Sequence, residues 1–102
     1  MTQKESKDTN KEDQERILKL QTPILNFGKE IDELNYSGEI TGKMFRDFGM
    51  PFKFSSSGEV EVDTEAGAEY VEAVCGLEAG GFDKLRGKDC LQACMKLLVF
   101  FQ

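Results

Sequence analysis

The stretch from Thr64 to Gln102 constrains the fold of this chain more than any other part. Its apolar residues recur every three or four positions, which predicts two short helices, and Gly80-Gly81 marks the joint between them. A joint this short makes the two helices antiparallel neighbours. The second helix ends in an apolar run, Leu97 to Phe101, that covers more than one face of a helix. These residues therefore belong either to the core of the domain or to a surface that binds another protein.

The first part of the sequence predicts β-structure. Between Arg16 and Tyr36, short apolar runs are broken by Pro23 and Gly28, which favours a β-hairpin with its turn near residues 26–29. Because Pro23 has no N–H group to donate, its strand lies at an edge or is interrupted there. A lone hairpin is only marginally stable in water, so we expect this one to pack on the helices.

A short helix and an ambiguous segment lie between these two regions. Thr41 is a suitable N-cap for a helix in which Met44, Phe45 and Phe48 form one apolar stripe, and Gly49 ends it. We interpret the stripe as the core face of this helix, because a domain of this size needs its apolar faces. Residues 52–62 leave two interpretations open, a second hairpin or a mobile loop.

Composition divides the chain into a leader and one domain. Residues 1–15 are almost all charged or polar, which predicts a disordered leader because such a segment buries too little apolar surface to order itself. Residues 16–102 predict a single small α+β domain. It contains an N-terminal β-hairpin, a short middle helix and a C-terminal antiparallel helical hairpin.

Charge and cysteine content limit the classes of partner. The chain has 13 basic and 19 acidic residues, a net charge of -6, which argues against binding a nucleic-acid backbone. No apolar run is long enough to span a membrane, and the first fifteen residues lack the apolar segment of a signal peptide. With three cysteines, an odd number, these observations predict a cytoplasmic protein with free thiols.

The sequence offers little catalytic or metal-binding chemistry. It has no histidine, the commonest general base and metal ligand. Cys90 and Cys94 lie on one face of the last helix, and we interpret them as core residues because a zinc site would need two further ligands. The alternating carboxylates of residues 30–33 and 59–63 are typical of solvated strand faces. We therefore expect no catalytic residue, no metal and no cofactor.

Several short motifs, each weak alone, occur in an order and spacing that resemble a known family. They are Leu20-Gln21-Thr22-Pro23-Ile24 and the following strand, Thr41-Gly42-Lys43 at a helix start, Gly76-Leu77 at a helix end, Leu85-Arg86-Gly87-Lys88-Asp89, and the closing Val99-Phe100-Phe101. In this pattern the chain resembles the small tail assembly chaperones of long-tailed bacteriophages, in particular the Mu-like and P2-like group. The resemblance covers residues 17 to 101.

The resemblance implies a non-enzymatic role in virion morphogenesis. Such chaperones bind the aggregation-prone tape measure protein, keep it soluble while the tail tube assembles, and are absent from the mature virion. It also implies a location in the cytoplasm of the bacterial host and a longer, frameshifted form of the chain as a second partner. We further expect a homo-oligomer.

The last helix is the candidate site for partner binding. If Cys90, Cys94 and Leu98 face inward, then Leu97, Phe100 and Phe101 spread over the remaining surface, and at least one of them is exposed. We therefore expect Leu97, Phe100 and Phe101 both to anchor the helical hairpin and to bind the partner, a second subunit or the tape measure protein. A function from a different class stays open, that of an acidic phage-encoded inhibitor that occupies a basic site on a host protein.

Overall fold

The first hairpin is present where the sequence predicts it. The computed structural model describes residues 16–101, and in it strand β1 (Ile17–Asn26) pairs antiparallel with strand β2 (Lys29–Asn35). Phe27 and Gly28 form the two-residue turn, with φ values of 52° and 79°. Two successive residues in the left-handed region match the right-handed twist of the strands, and glycine adopts that region without strain.

The pairing of the two strands is interrupted at Pro23. Lys19 pairs with Glu33 and Ile24 pairs with Ile31, so the register shifts between these pairs. The prediction that the strand of Pro23 lies at an edge or is interrupted there is confirmed, since β1 belongs to a two-stranded sheet and its pairing shifts around Pro23. The shift leaves the backbone N–H groups of Gln21 and Thr22 free to bond elsewhere in the domain.

The middle helix, α1 (Gly42–Phe48), has the predicted boundaries. The Thr41 hydroxyl accepts a hydrogen bond from the Met44 N–H at 3.2 Å, and Gly49 ends the helix with φ at 84°. The three residues of the predicted apolar stripe, however, do not all face the core. Met44 and Phe48 pack against the core, whereas Phe45 is exposed. The helix has only seven residues and lies at the edge of the domain, so a single side of it reaches the core.

Residues 52–62 form a second β-hairpin, which decides between the two interpretations of this segment. Strand β3 (Phe52–Phe54) pairs antiparallel with strand β4 (Val60–Val62), and the two strands make a sheet of their own. Phe52 faces Val62, and Phe54 faces Val60. These two pairs share one face of the ribbon, because side chains two positions apart on a strand point the same way.

The C-terminal part is helical, as predicted. Helix α2 (Thr64–Cys75) is followed by a short 3-10 helix (Gly81–Lys84) and by helix α3 (Lys88–Phe100). The Asp63 carboxylate caps α2 by accepting from the Ala66 N–H at 3.2 Å. Gly67 near the start of α2 lies against Cys94 at the middle of α3, and Tyr70 contacts Phe101. The two helices therefore pack against each other, and their antiparallel direction stays a prediction.

One hydrophobic cluster joins the first hairpin, α2 and α3. Its fully buried members include Leu34 and Tyr36 from the hairpin side, Val71 from α2, and Ala93 and Leu97 from α3. The Tyr36 hydroxyl donates to the Ala93 carbonyl at 2.7 Å, so its polar group is satisfied within the cluster. The α+β class predicted from the sequence is confirmed.

The predicted disordered leader, residues 1–15, lies outside the described residues, as does Gln102. Within residues 16–101, no helix combines the length and apolar character that crossing a membrane requires.

Candidate partner-binding surface

Helix α3 is anchored at its start by a buried carboxylate. Asp89 is fully buried, and its two carboxylate oxygens accept hydrogen bonds from the Gln21 N–H, at 3.1 and 3.0 Å, and from the Thr22 N–H, at 3.2 Å. These are N–H groups left unpaired by the register shift at Pro23. Asp89 also lies in the first turn of α3, where the helix dipole favours a negative charge. The first hairpin and the last helix are thereby held in one arrangement.

The second half of α3 is held by packing, and this corrects one expectation about the candidate site. Leu97 has an exposed fraction of 0%, so the expectation that it spreads over the surface is wrong. The reason is the orientation of α3 about its own axis. α3 turns the side that carries Ala93, Cys94 and Leu97 toward α2 and the first hairpin.

The two aromatic residues of the predicted site are half-buried and pack against the core. Phe100 stacks on Tyr36 with ring centroids 5.5 Å apart and planes 10° apart, and the Arg16 guanidinium carbon lies 5.8 Å from its centroid. Phe101 makes an edge-to-face contact with Tyr70 at 5.2 Å. Phe100 and Phe101 are each half-buried, so each ring keeps part of its surface exposed. Their role in partner binding stays a prediction.

A different set of apolar side chains on α3 faces solvent. Leu91, Met95 and Val99 are 60%, 39% and 46% exposed. They are four residues apart along the chain, so they form one continuous stripe on the side of the helix away from Ala93 and Leu97. We call this set the α3 stripe.

The sequence contained a signal for the α3 stripe that the motif-based interpretation missed. The apolar residues of α3 cover more than one face, so their periodicity alone does not show which of them are buried. The polar residues give the better indication, because Lys88 and Gln92 are exposed on the same side as the stripe. The small side chain of Ala93 marks the opposite, closely packed side.

Four of the other exposed apolar residues are grouped in pairs. Leu25 and Phe27 lie at the tip of the first hairpin, and Phe54 and Val60 form a cross-strand pair at the outer end of the second. The hairpin tip is fixed in place, since the Phe27 N–H donates to the Glu78 carboxylate at 2.9 Å. The Lys84 ammonium lies 2.7 Å from the same carboxylate and, with the Phe27 N–H, lowers the pKa of Glu78.

A groove of about 670 Å³ lies between α1, α2 and the 3-10 helix. Its charged lining, within the described residues, is entirely acidic and consists of Asp47, Glu65, Glu69, Glu72 and Asp83. Phe48 and Phe82 supply aromatic surface in the same groove. The groove therefore has the charge to receive a basic segment of another protein.

The cysteines occupy packed positions and not a cluster of metal ligands. Cys94 is buried, and Cys75 and Cys90 are half-buried free thiols. Burial raises the pKa of the Cys75 thiol to about 12 and, with the nearby Cys90, raises that of Cys94. Such thiols stay protonated at neutral pH and are poor nucleophiles. Residues 16–101 contain no group of three or more potential metal ligands.

Compared with known proteins, the chain matches no family model, no curated protein and no solved structure.

Proposed function

We propose that this protein is a tail assembly chaperone of a long-tailed phage or prophage. It binds the tape measure protein and keeps it soluble until the tail tube assembles around it. It acts in the cytoplasm of the bacterial host, without catalysis or cofactor, and is absent from the mature virion. A homo-oligomer and a complex with a longer, frameshifted form of the same chain are part of this proposal.

The observation that carries the proposal is the α3 stripe. Leu91, Met95 and Val99 present apolar surface at the spacing with which one helix packs against another. A tape measure protein is long and helical, and its exposed apolar side chains aggregate unless another apolar surface binds them before the tube forms. A net charge of -6 on the chaperone helps to keep such a complex dispersed.

The resemblance supports the proposal in a second way, because its motifs meet in space. The Leu-x-x-Pro-Ile motif supplies the N–H groups of Gln21 and Thr22, and the Leu-x-x-x-Asp motif supplies Asp89, which binds them. Leu20 and Leu85, the first residues of the two motifs, are both buried. The motifs thus describe one packing arrangement of the domain.

Co-expression with the tape measure protein of the same genome tests the function. We expect the wild-type chain to raise the soluble fraction of the tape measure protein. The double variant Leu91→Gln/Met95→Gln should lose this effect, because each side chain contributes roughly 1–2 kcal/mol of apolar burial to a helix–helix contact. Glutamine is a good helix former, so α3 itself should remain folded.

The matched control is Phe45→Gln/Met50→Gln, which removes two apolar side chains of similar exposure from another part of the surface. This control should solubilise the tape measure protein as well as wild type does. The proposal fails if the tape measure protein is no more soluble with the wild-type chain than without it.

The acidic groove favours a second candidate function, that of an acidic inhibitor bound to a basic site on a host protein. In that case Glu65→Lys/Glu69→Lys, which reverses two charges in the groove, should abolish activity while Leu91→Gln/Met95→Gln leaves it unchanged. The two pairs of substitutions therefore separate the two candidate functions.

A further inference from the structure

The α3 stripe lies in surroundings whose charge differs from that of the whole chain. Lys88 is exposed one turn before Leu91, and Lys96 is half-exposed beside Met95. Asp89 is the acidic residue of α3, and it is fully buried against β1. The solvent-facing side of α3 therefore carries positive charge and no carboxylate, although the chain has a net charge of -6.

The two lysines are available to a partner. Within residues 16–101 the ion pairs are Lys19–Glu33, Lys43–Asp47 and Lys84–Glu78. Lys88 and Lys96 take part in none of these. By contrast, the outer side of the neighbouring helix α2 carries Glu65 and Glu69. Lys88 and Lys96 are thus not ion-paired within the described part of the chain.

From this arrangement we infer that the α3 stripe binds an amphipathic helix whose apolar residues are flanked by aspartate or glutamate. The inference rests on the proposed function and names the chemistry of the tape measure segment that is bound. Lys88 and Lys96 are eight positions apart, which is about 12 Å along a helix axis. The partner carboxylates are therefore spaced about two helical turns apart. Opposite charges at the rim of such a contact set partner choice and orientation.

Two synthetic helical peptides test the inference on the purified full chain. Both carry leucines four residues apart. One has glutamates at the flanking positions and the other has lysines. At about 50 mM salt, fluorescence anisotropy should show about tenfold tighter binding of the glutamate peptide. The difference should shrink at about 500 mM salt, because exposed charges are then screened.

Charge reversal on the protein gives the matched comparison. Lys88→Glu/Lys96→Glu should reverse the preference and bind the lysine peptide more tightly. The control Lys29→Glu/Lys53→Glu changes two exposed lysines outside α3 and should keep the wild-type preference. Equal binding of the two peptides, tighter binding of the lysine peptide to wild type, or no binding of either overturns the inference.

The outcomes also separate this inference from the proposed function. If tape measure solubility depends on Leu91 and Met95 but the peptides show no charge preference, the inference fails and the proposed function stands. If the wild-type chain does not raise tape measure solubility at all, the proposed function fails, whatever the peptides show. A second copy is the competing occupant of the stripe. A dimer in sedimentation experiments that Leu91→Gln/Met95→Gln converts to monomer overturns the inference.

Discussion

At the scale of single residues, Asp89 has the most demanding environment. Burying a carboxylate costs free energy unless hydrogen bonds replace its hydration. Asp89 is the fully buried charged residue among residues 16–101, and the N–H groups of Gln21 and Thr22 supply that replacement. In turn, the carboxylate satisfies N–H groups that the interrupted strand leaves without a ladder partner. The contact therefore avoids two costs, that of a buried carboxylate without hydrogen bonds and that of buried N–H groups without acceptors.

We expect Asp89→Asn to lower the free energy of unfolding by about 2–3 kcal/mol, because it removes charge-assisted hydrogen bonds from buried donors. The asparagine also places an NH₂ group against backbone N–H groups, or leaves one of them unbonded. Urea denaturation followed by circular dichroism measures the change. Asp32→Asn, at an exposed strand position, should stay within about 0.5 kcal/mol of wild type. Equal stability of the two variants would contradict this account of Asp89.

At the scale of elements, the contact between α2 and α3 depends on a glycine. A Cβ atom built at Gly67 lies 3.0 Å from the Cys94 sulfur, which is closer than ordinary van der Waals contact. Glycine inside a helix costs about 1 kcal/mol relative to alanine. The close approach of α3 is the physical reason for a glycine at this position.

Gly67→Ala should therefore destabilise the wild-type chain by about 1–2 kcal/mol, since the added methyl group overpacks the contact. In a Cys94→Ala background the sulfur is absent, and the same substitution should be neutral or stabilising. A double-mutant cycle from urea denaturation gives an expected interaction energy of about 1 kcal/mol or more. The same effect of Gly67→Ala in both backgrounds would show that the two helices do not meet at this pair.

At the scale of the whole molecule, burial of ionisable groups in one core predicts how stability depends on pH. Burial raises the pKa of Cys75 to about 12 in the folded chain, from an ordinary value of 9.0, and also raises the pKa of Tyr36. Between pH 9.0 and about pH 12 the unfolded chain releases the Cys75 proton and the folded chain keeps it. The stabilisation is therefore complete below pH 9.0 and is lost as the pH rises toward 12.

The free energy of unfolding, measured by urea denaturation from pH 7 to pH 10, should accordingly fall above about pH 9, with a slope of up to about 1.4 kcal/mol per pH unit for each such group. Cys75→Ala should make this alkaline slope shallower, even though it lowers stability at neutral pH by removing packed atoms. Cys90 is the matched control, since Cys90→Ala should leave the contribution of Cys75 in place. An unchanged slope in Cys75→Ala would contradict the assignment.

The motifs behind the family resemblance also belong to the whole-molecule scale. Thr41 caps a helix, Gly76 ends one in a left-handed conformation, and Leu77 is buried beside it. Asp89 joins two of the motifs. These positions have structural reasons to be what they are, whereas the α3 stripe lies in none of the motifs except at Val99. The residues that carry the resemblance are therefore largely different from those proposed to bind the partner.

The sequence by itself determined the first hairpin, α1 and the two C-terminal helices, but left residues 52–62 open. The N-cap at Thr41, the turn at Gly28, the helix end at Gly49 and the interruption at Pro23 depend on each residue and its near neighbours, so they were predicted from sequence. The tertiary structure decided which of the apolar residues of α3 are buried. Nine of its thirteen residues are apolar, and the choice among them depends on contacts with α2 and the first hairpin, which are distant in sequence. For the same reason Leu97 is buried in the core, and the exposed apolar residues of the helix are those of the α3 stripe.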